Sequence, residues 1–335
     1  MERVLAGIRP TGKLHWGNYF GALQNWVALQ KKYDCFFFVA DWHSLTSEYA
    51  NAEAIKDWSI EILKDILAAG VDPEKATLFL QSQVPEHAEL HLILSMIAPL
   101  GWLERVPTYK EMKAELSDKD LDTYGFLGYP VLQSADILLY KALKVPVGED
   151  QVPHLELTRE LVRRVHFLVK KKIFVEPLPL LTPTPRVPGL DRRKMSKSFG
   201  NAIWLDDSPE AIQKKAMQTL TDPARTLRTI PGNPDVCTVH DFHKLVSDEK
   251  MLKWSREGCR TASIGCVECK QAMAKNGAEY FKEFREKKKC WDEKEKQLLE
   301  IAAEGSKKAR AVASKTMEKV RAAFGLGYQL KADGY

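Results

Sequence analysis

Short continuous apolar runs alternate with helically spaced apolar positions through the first third of the chain. Residues 3–8 (RVLAGI) are followed by Pro10 and Gly12, which predicts a strand ending in a turn. From Gly17 to Tyr33, Tyr19, Phe20, Leu23, Trp26 and Val27 fall on one helical stripe. CFFFVAD, at 35–41, is a run expected of a strand covered on both faces. A helix is then predicted over 52–69, closed by Gly70, a strand over 76–80 and a helix over 86–98. This alternation predicts an α/β fold, a Rossmann-like parallel sheet with crossover helices, whose ligands bind at the carboxyl ends of its strands. The proline-rich stretch 176–189 reads as irregular, and beyond it the pattern turns helical. Ser208 with Pro209 opens one helix, and others fit 241–254, 267–289 and 292–324. The expected organisation is a catalytic domain over 1–190, a mostly helical domain over 191–310 and a C-terminal helix and tail over 311–335.

Composition narrows the class. With 335 residues, 44% hydrophobic and 28% charged, the chain can bury a core without disulfides, which excludes disorder and small cystine scaffolds. No apolar run approaches the roughly 20 residues of a membrane span, and the N-terminus lacks a signal-peptide stretch, so a cytoplasmic protein is expected. Residues 1–180 carry a formal charge of −4 and residues 181–335 one of +9, which together give the +5 of the chain. The basic second half suits a polyanion, although solvated surface lysines give the same count.

Two segments carry candidate chemistry. The turn after the first strand reads Arg9-Pro10-Thr11-Gly12-Lys13-Leu14-His15-Trp16-Gly17-Asn18 and opens a helix. Glycines before a helix start let backbone N–H groups approach a phosphate, and His15 and Asn18 add donors; a plain strand-to-helix connection capped by Asn18 is the ordinary alternative. The second segment, Arg192-Arg193-Lys194-Met195-Ser196-Lys197-Ser198, offers point charges that can follow a moving oxyanion, against the plain reading of a basic surface patch.

Together they resemble the paired signatures of class I aminoacyl-tRNA synthetases. His15-Trp16-Gly17-Asn18 corresponds to the HIGH tetrapeptide, and KMSKS matches letter for letter. Trp16 departs from the small or aliphatic residue usual there and is expected to crowd the turn. Residues 129–140 (YPVLQSADILLY), 145–151 (VPVGEDQ) and 154–159 (HLELTR) are closely similar to bacterial tryptophanyl-tRNA synthetases. That resemblance implies tryptophan–tRNA ligase activity with ATP, Mg²⁺ and tRNA(Trp), and a homodimer. It implies a tryptophan pocket of His43, Tyr129, Asp136, Val145, Val147 and Gln151. Arg9, Pro10, Thr11, Gly17, Asn18, Gly148, Glu149, Asp150, Val187, Lys194, Met195, Ser196, Lys197 and Ser198 would border the ATP. His15, Asn18, Lys194, Lys197 and Lys113 would act on the phosphates. Asp136 interrupts an apolar segment, and burying it as a lone charge costs several kcal/mol; either it is a helix-start Asp facing solvent or it accepts the indole N–H. A tyrosyl-specific relative and a non-catalytic RNA-binding paralogue are the alternatives.

The chain has 6 cysteines. Cys35 sits in the apolar run and Cys290 has no near partner. Cys237, Cys259, Cys266 and Cys269 lie within about 30 residues, and four thiolates suit zinc or a 4Fe–4S cluster. The spacing resembles that of a subset of bacterial tryptophanyl-tRNA synthetases with a 4Fe–4S cluster, so a cluster is expected, with zinc or free thiols as alternatives.

Overall fold

Five parallel strands, β1 (Arg3–Ile8), β2 (Asp34–Val39), β3 (Ala76–Leu80), β4 (Lys144–Val147) and β5 (Leu178–Leu181), pair in the order β3-β2-β1-β4-β5. This computed structural model describes residues 1–107, 120–148, 151–181 and 187–328. Alternation along the strands divides the core. Val4, Ala6, Cys35, Phe37, Val39 and Leu78 face one cluster, and Leu5, Phe36, Phe38 and Phe79 face the other. Both faces are covered, which is why β2 is apolar and buried from Cys35 to Val39.

On the first face lie α1 (Trp16–Asn18), a π-helical turn (Tyr19–Leu23), α2 (Gln24–Leu29) and α4 (Ala54–Ala68), with α3 (Asp41–Glu48) leading into α4. The second face takes α5 (Glu86–Ser95), α6 (Leu100–Leu103), α7 (Tyr124–Leu139) and α8 (Val152–Val169). Among the described residues, the remaining α-helices are α9 (Pro209–Gln218), α10 (Thr238–Val246), α11 (Glu249–Arg260), α12 (Cys266–Tyr280), α13 (Lys282–Asp292) and α14 (Glu295–Ala323). Helix α14 runs past the β3 edge of the sheet: Leu298 and Ala302 join the first cluster, Ala309, Ala313, Met317 and Val320 the second. Gly305 permits that passage, because a Cβ there would lie 1.8 Å from the Leu78 carbonyl oxygen.

Several elements differ from the sequence pattern. The stretch 176–189 is not wholly irregular, since β5 includes Pro179; at the sheet's edge a missing N–H costs no ladder bond. The helix expected over 241–254 is two, because Asp248 accepts from the Met251 N–H at 2.8 Å and starts α11. The one expected over 267–289 breaks at Phe281, whose buried ring anchors the junction. Trp16 does not crowd its turn. It is 0% exposed, stacks on Phe281 at 5.3 Å, meets Phe242 edge-on at 5.8 Å, and fills a site where Gly277 has no side chain.

Candidate active site

The chain leaves β1 toward β2 on one side and returns through β4 on the other, and this reversal opens a crevice at the carboxyl ends of the strands. A cavity of about 370 Å³ occupies it, bordered by Gly7 and Arg9 of β1 and its turn, His43 of α3, Tyr129 and Asp136 of α7, and Gln151. Val145 and Val147 on β4 and Gly148 complete the wall. The volume is that of a small-molecule site, mostly apolar with a few convergent polar groups.

Asp136 is the dominant polar group. It is 2% exposed, three residues before the end of α7, so it is not a helix-start residue facing solvent. Its Oδ1 accepts from Gln81 Nε2 at 2.8 Å and His87 Nδ1 at 2.6 Å, and its Oδ2 from His43 Nε2 at 2.8 Å. Burial alone would raise its pKa; His43 first, then His87, overcome this and hold the carboxyl well below its usual range. A carboxylate has about four acceptor positions. Three are filled, and the remaining one is on Oδ2.

A second relay also lines the cavity. Tyr129 Oη meets His154 Nε2 at 3.1 Å, and His154 Nδ1 meets Gln151 Oε1 at 2.8 Å. Arg9 is held by Ser47, and burial lowers its pKa from the ordinary guanidinium value.

The two signature segments meet beside this cavity. Asn18 N–H donates to His15 Nδ1 at 3.3 Å and Asn18 Oδ1 accepts from His15 N–H at 3.0 Å, so both also cap the helix start. Burial, with the nearby Lys194 charge, lowers the His15 pKa to about 4. His15 is therefore neutral at pH 7, and because Nδ1 accepts, Nε2 carries the hydrogen. Lys197 Nζ donates to the Thr11 carbonyl at 2.8 Å and lies 4.9 Å above the Trp58 ring. Gly12 has φ +116°, a backbone conformation that favours glycine, and Lys197 Nζ lies 2.7 Å from where a Cβ would stand. Gly17 leaves room for the His15 ring, and Pro10 is buried beneath the turn.

The loop is rooted as well. Asn201 Oδ1 accepts from Ser196 N–H at 2.9 Å, and its Nδ2 donates to Asp191 at 2.7 Å and to the Lys194 carbonyl at 3.2 Å. Buried Met195 donates its N–H to the Val187 carbonyl at 3.2 Å, whereas Lys194 and Ser198 are exposed. Beyond it, Trp16 N–H donates to the Ile203 carbonyl at 2.9 Å and Leu205 N–H to that of Leu14 at 3.0 Å, fastening one signature to the other. Lys113, Glu149 and Asp150 lie outside the described residues.

The four clustered cysteines converge from the start of α10, the end of α11 and the first turn of α12. Cys259 Sγ lies 3.9 Å from Arg225 Nη1, and Cys269 Sγ is 3.5 Å from Ser255 Oγ and from His243 Nε2. Burial, with the other three thiols adding to it, raises the Cys269 pKa to about 11. Among the described residues, no three His, Cys, Asp or Glu side chains are gathered closely enough to hold an ion. The expected cluster or zinc site is thus not assembled as the chain stands.

Sequence reasoning missed Gln81, His87, Tyr140, His154 and Asn201. His154 and Tyr140 fall inside the conspicuous 129–159 blocks, but nothing in the sequence marks Gln81 or His87. A switch-point cavity beside a glycine turn and an apposed lysine loop define a nucleotide-using α/β enzyme.

The comparisons make this specific. Residues 1–282 match the family model "tRNA synthetases class I (W and Y)". The chain is similar to the tryptophan–tRNA ligase of Thermotoga maritima, 51% identical over 97% of this chain and 99% of that one. It is 44% identical to that of Ralstonia nicotianae over 98% and 99% of the two chains. In structure it is similar to the tryptophanyl-tRNA synthetase from Campylobacter jejuni complexed with ADP and tryptophan, with TM-score 0.87, 36% identity, and 97% and 100% of the chains covered. The chain belongs to the class I tRNA synthetases of the tryptophan and tyrosine family.

Proposed function

We propose that this chain is a tryptophan–tRNA ligase in which Asp136 reads the indole and the two signature segments handle the phosphates. The observation that carries the reading is the single open acceptor position on Asp136 Oδ2, in a mostly apolar cavity that Asp136 lines. Indole has one N–H donor and no acceptor, so it matches that position, and a ring without the N–H leaves a buried charge underpaired. Tyr129 and Gln151 take the substrate ammonium, and Val145 and Val147 flank the ring.

In the first step, the tryptophan carboxylate attacks the α-phosphorus of ATP, forming tryptophanyl-adenylate and releasing pyrophosphate. Positioning and charge stabilisation carry the rate. His15 Nε2–H and Asn18 donate to the phosphates from the turn, with Arg9, Pro10, Thr11, Gly17 and Gly148 bordering the nucleotide. Lys194 and Lys197 follow the charge onto pyrophosphate, which for Lys197 means leaving its contacts with Thr11 and Trp58. Mg²⁺ arrives with ATP and neutralises its phosphates. In the second step a terminal ribose hydroxyl of tRNA(Trp) displaces AMP from the adenylate, while the basic region from 191 onward binds the RNA backbone.

The finer proposals follow from other features. Cys237, Cys259, Cys266 and Cys269 hold a 4Fe–4S cluster once assembly draws their sulfurs together; the all-thiol donor set supports this, and Arg225 and Lys270 beside it offset the thiolate charge. The cluster would brace the helical region structurally. The assembly is a homodimer, as the likeness to bacterial tryptophanyl-tRNA synthetases implies, and exposed Met96, just past the end of α5, and Phe167 of α8 are available to its surface. All six cysteines are free, which suits a reducing cytoplasm, and no helix among the described residues is long and apolar enough to cross a membrane.

The test is ATP–pyrophosphate exchange and tRNA charging with tryptophan against tyrosine. Exchange with tyrosine alone would move the chain to the tyrosyl branch, and no exchange at all would leave an RNA-binding paralogue. Anaerobic protein assayed for iron, sulfide and zinc decides the cysteine site.

A further inference from the structure

Behind the open acceptor of Asp136 stands a second pair of groups that the reaction itself does not use. His87 is fully buried at the start of α5, with Nδ1 2.6 Å from Asp136 Oδ1 and Nε2 2.8 Å from Tyr140 Oη. Tyr140 is also fully buried, just beyond the end of α7 and one helical turn from Asp136. Burial keeps its hydroxyl protonated, and His87 Nε2 is within its reach. The carboxylate can only accept, so Nδ1 carries the hydrogen between His87 and Asp136, and Nε2 is left to Tyr140. The Tyr140 hydroxyl holds the ring from behind.

The consequence is a count of lone pairs. With His87 and Gln81 both donating to Oδ1, that oxygen is saturated. His43 fills half of Oδ2. Without His87, the carboxylate could rotate its free capacity away from the cavity, or protonate and turn from acceptor into donor. Tyr129, His154 and Gln151 repeat the same arrangement elsewhere in the cavity lining, tyrosine to histidine to a cavity-facing polar group.

We infer that His87, locked by Tyr140, is a positioning residue that fixes Asp136 as a pure acceptor with one open site, and thereby sets how strongly the enzyme prefers an indole N–H to a ring lacking one. This rests on the reading of Asp136 as the indole acceptor. His87 touches no substrate. It acts only through the carboxylate.

The experiment compares tryptophan with β-(3-benzothienyl)alanine, which keeps the bicyclic shape and replaces the N–H by sulfur, in ATP–pyrophosphate exchange. The readout is the ratio of the two kcat/KM values, which general damage to the fold lowers for both substrates without changing. In His87→Leu that ratio is expected to fall roughly tenfold or more from the wild-type value, the size of one hydrogen bond to a charged group. His87→Asn, which places an amide N–H near the lost Nδ1, should recover much of the preference. Tyr140→Phe should lower it less than His87→Leu, and the KM for ATP should stay at the wild-type value in all three. A wild-type ratio in His87→Leu and Tyr140→Phe, with Asp136→Asn losing its preference, overturns this inference alone. If Asp136→Asn also keeps the ratio, the indole reading fails with it. Thermal melts of each variant identify any that do not fold, and Tyr140→Phe, which removes one oxygen only, then carries the test.

Discussion

Replacing Asp136 by Asn exchanges a carboxylate for a near-isosteric amide and leaves the cavity's shape unchanged. The wild-type side chain receives Gln81, His87 and His43 and offers Oδ2 to a fourth donor. Asn offers one oxygen and one NH₂, so at least one of these donors faces another donor, and the indole N–H loses a charged acceptor. Hydrogen bonds to charged groups contribute about 1.5–3 kcal/mol. At about 1.4 kcal/mol per factor of ten, that corresponds to a tryptophan KM roughly 10- to 150-fold higher. The ATP KM should hold, because the turn and loop proposed to face the phosphates share no hydrogen bond with this network among the described residues. The assay is pyrophosphate exchange at saturating ATP with tryptophan varied, then the reverse, with a thermal melt to show the variant is folded. An unchanged tryptophan KM in folded protein would refute the lone-pair argument. So would equal losses for both substrates.

Other expectations concern the loop, the packing and the charge states. Lys194→Ala and Lys197→Ala should each lower the rate of adenylate formation, by roughly 100-fold for a group acting in the transition state, while tryptophan affinity measured by equilibrium binding stays constant; parallel losses in both would mark the loop as structural. Gly277→Ala places a Cβ 2.4 Å from the Trp16 ring and should cost about 1–3 kcal/mol, read as a lowered melting temperature; a wild-type melt would show that the ring moves freely. His15 and His240 are each lowered to about 4, in both cases mainly by burial. The unfolded chain takes up protons on these imidazoles below pH 6.5, and the folded chain does so only near 4. Stability should therefore fall as pH drops through that interval, and a flat melting temperature from pH 6.5 to 4 would contradict it.

The first three strands were legible because their apolar runs are long and bounded by turn residues. Strands β4 and β5 were not, since each is short and carries a proline, Pro146 and Pro179, that argues locally against a strand. Their pairing with the rest of the sheet decides against that local preference. At the site, residues with an unusual setting stood out: Asp136 in an apolar run, Lys194 and Lys197 around a methionine. Gln81 and His87 had no such contrast. They matter because a 3₁₀ turn after β3 and the first turn of α5 deliver them to one carboxylate, and only the fold reveals that meeting. Trp16 was noticed for the wrong reason, since its neighbours in space come from more than two hundred residues away.

That indole has a consequence for how such a chain can change over time. Trp16 and Gly277 are complementary parts encoded far apart, one bulky because the other is bare. A recombinant that takes its first segment from this gene, and its second from a relative with any side chain at the equivalent of 277, collides beside the His15 turn. The reciprocal recombinant, with a small residue meeting the bare helix, leaves an indole-sized void at the same spot. Either crossover passes through a poorly packed ancestor, so the two positions are inherited most easily as a couple.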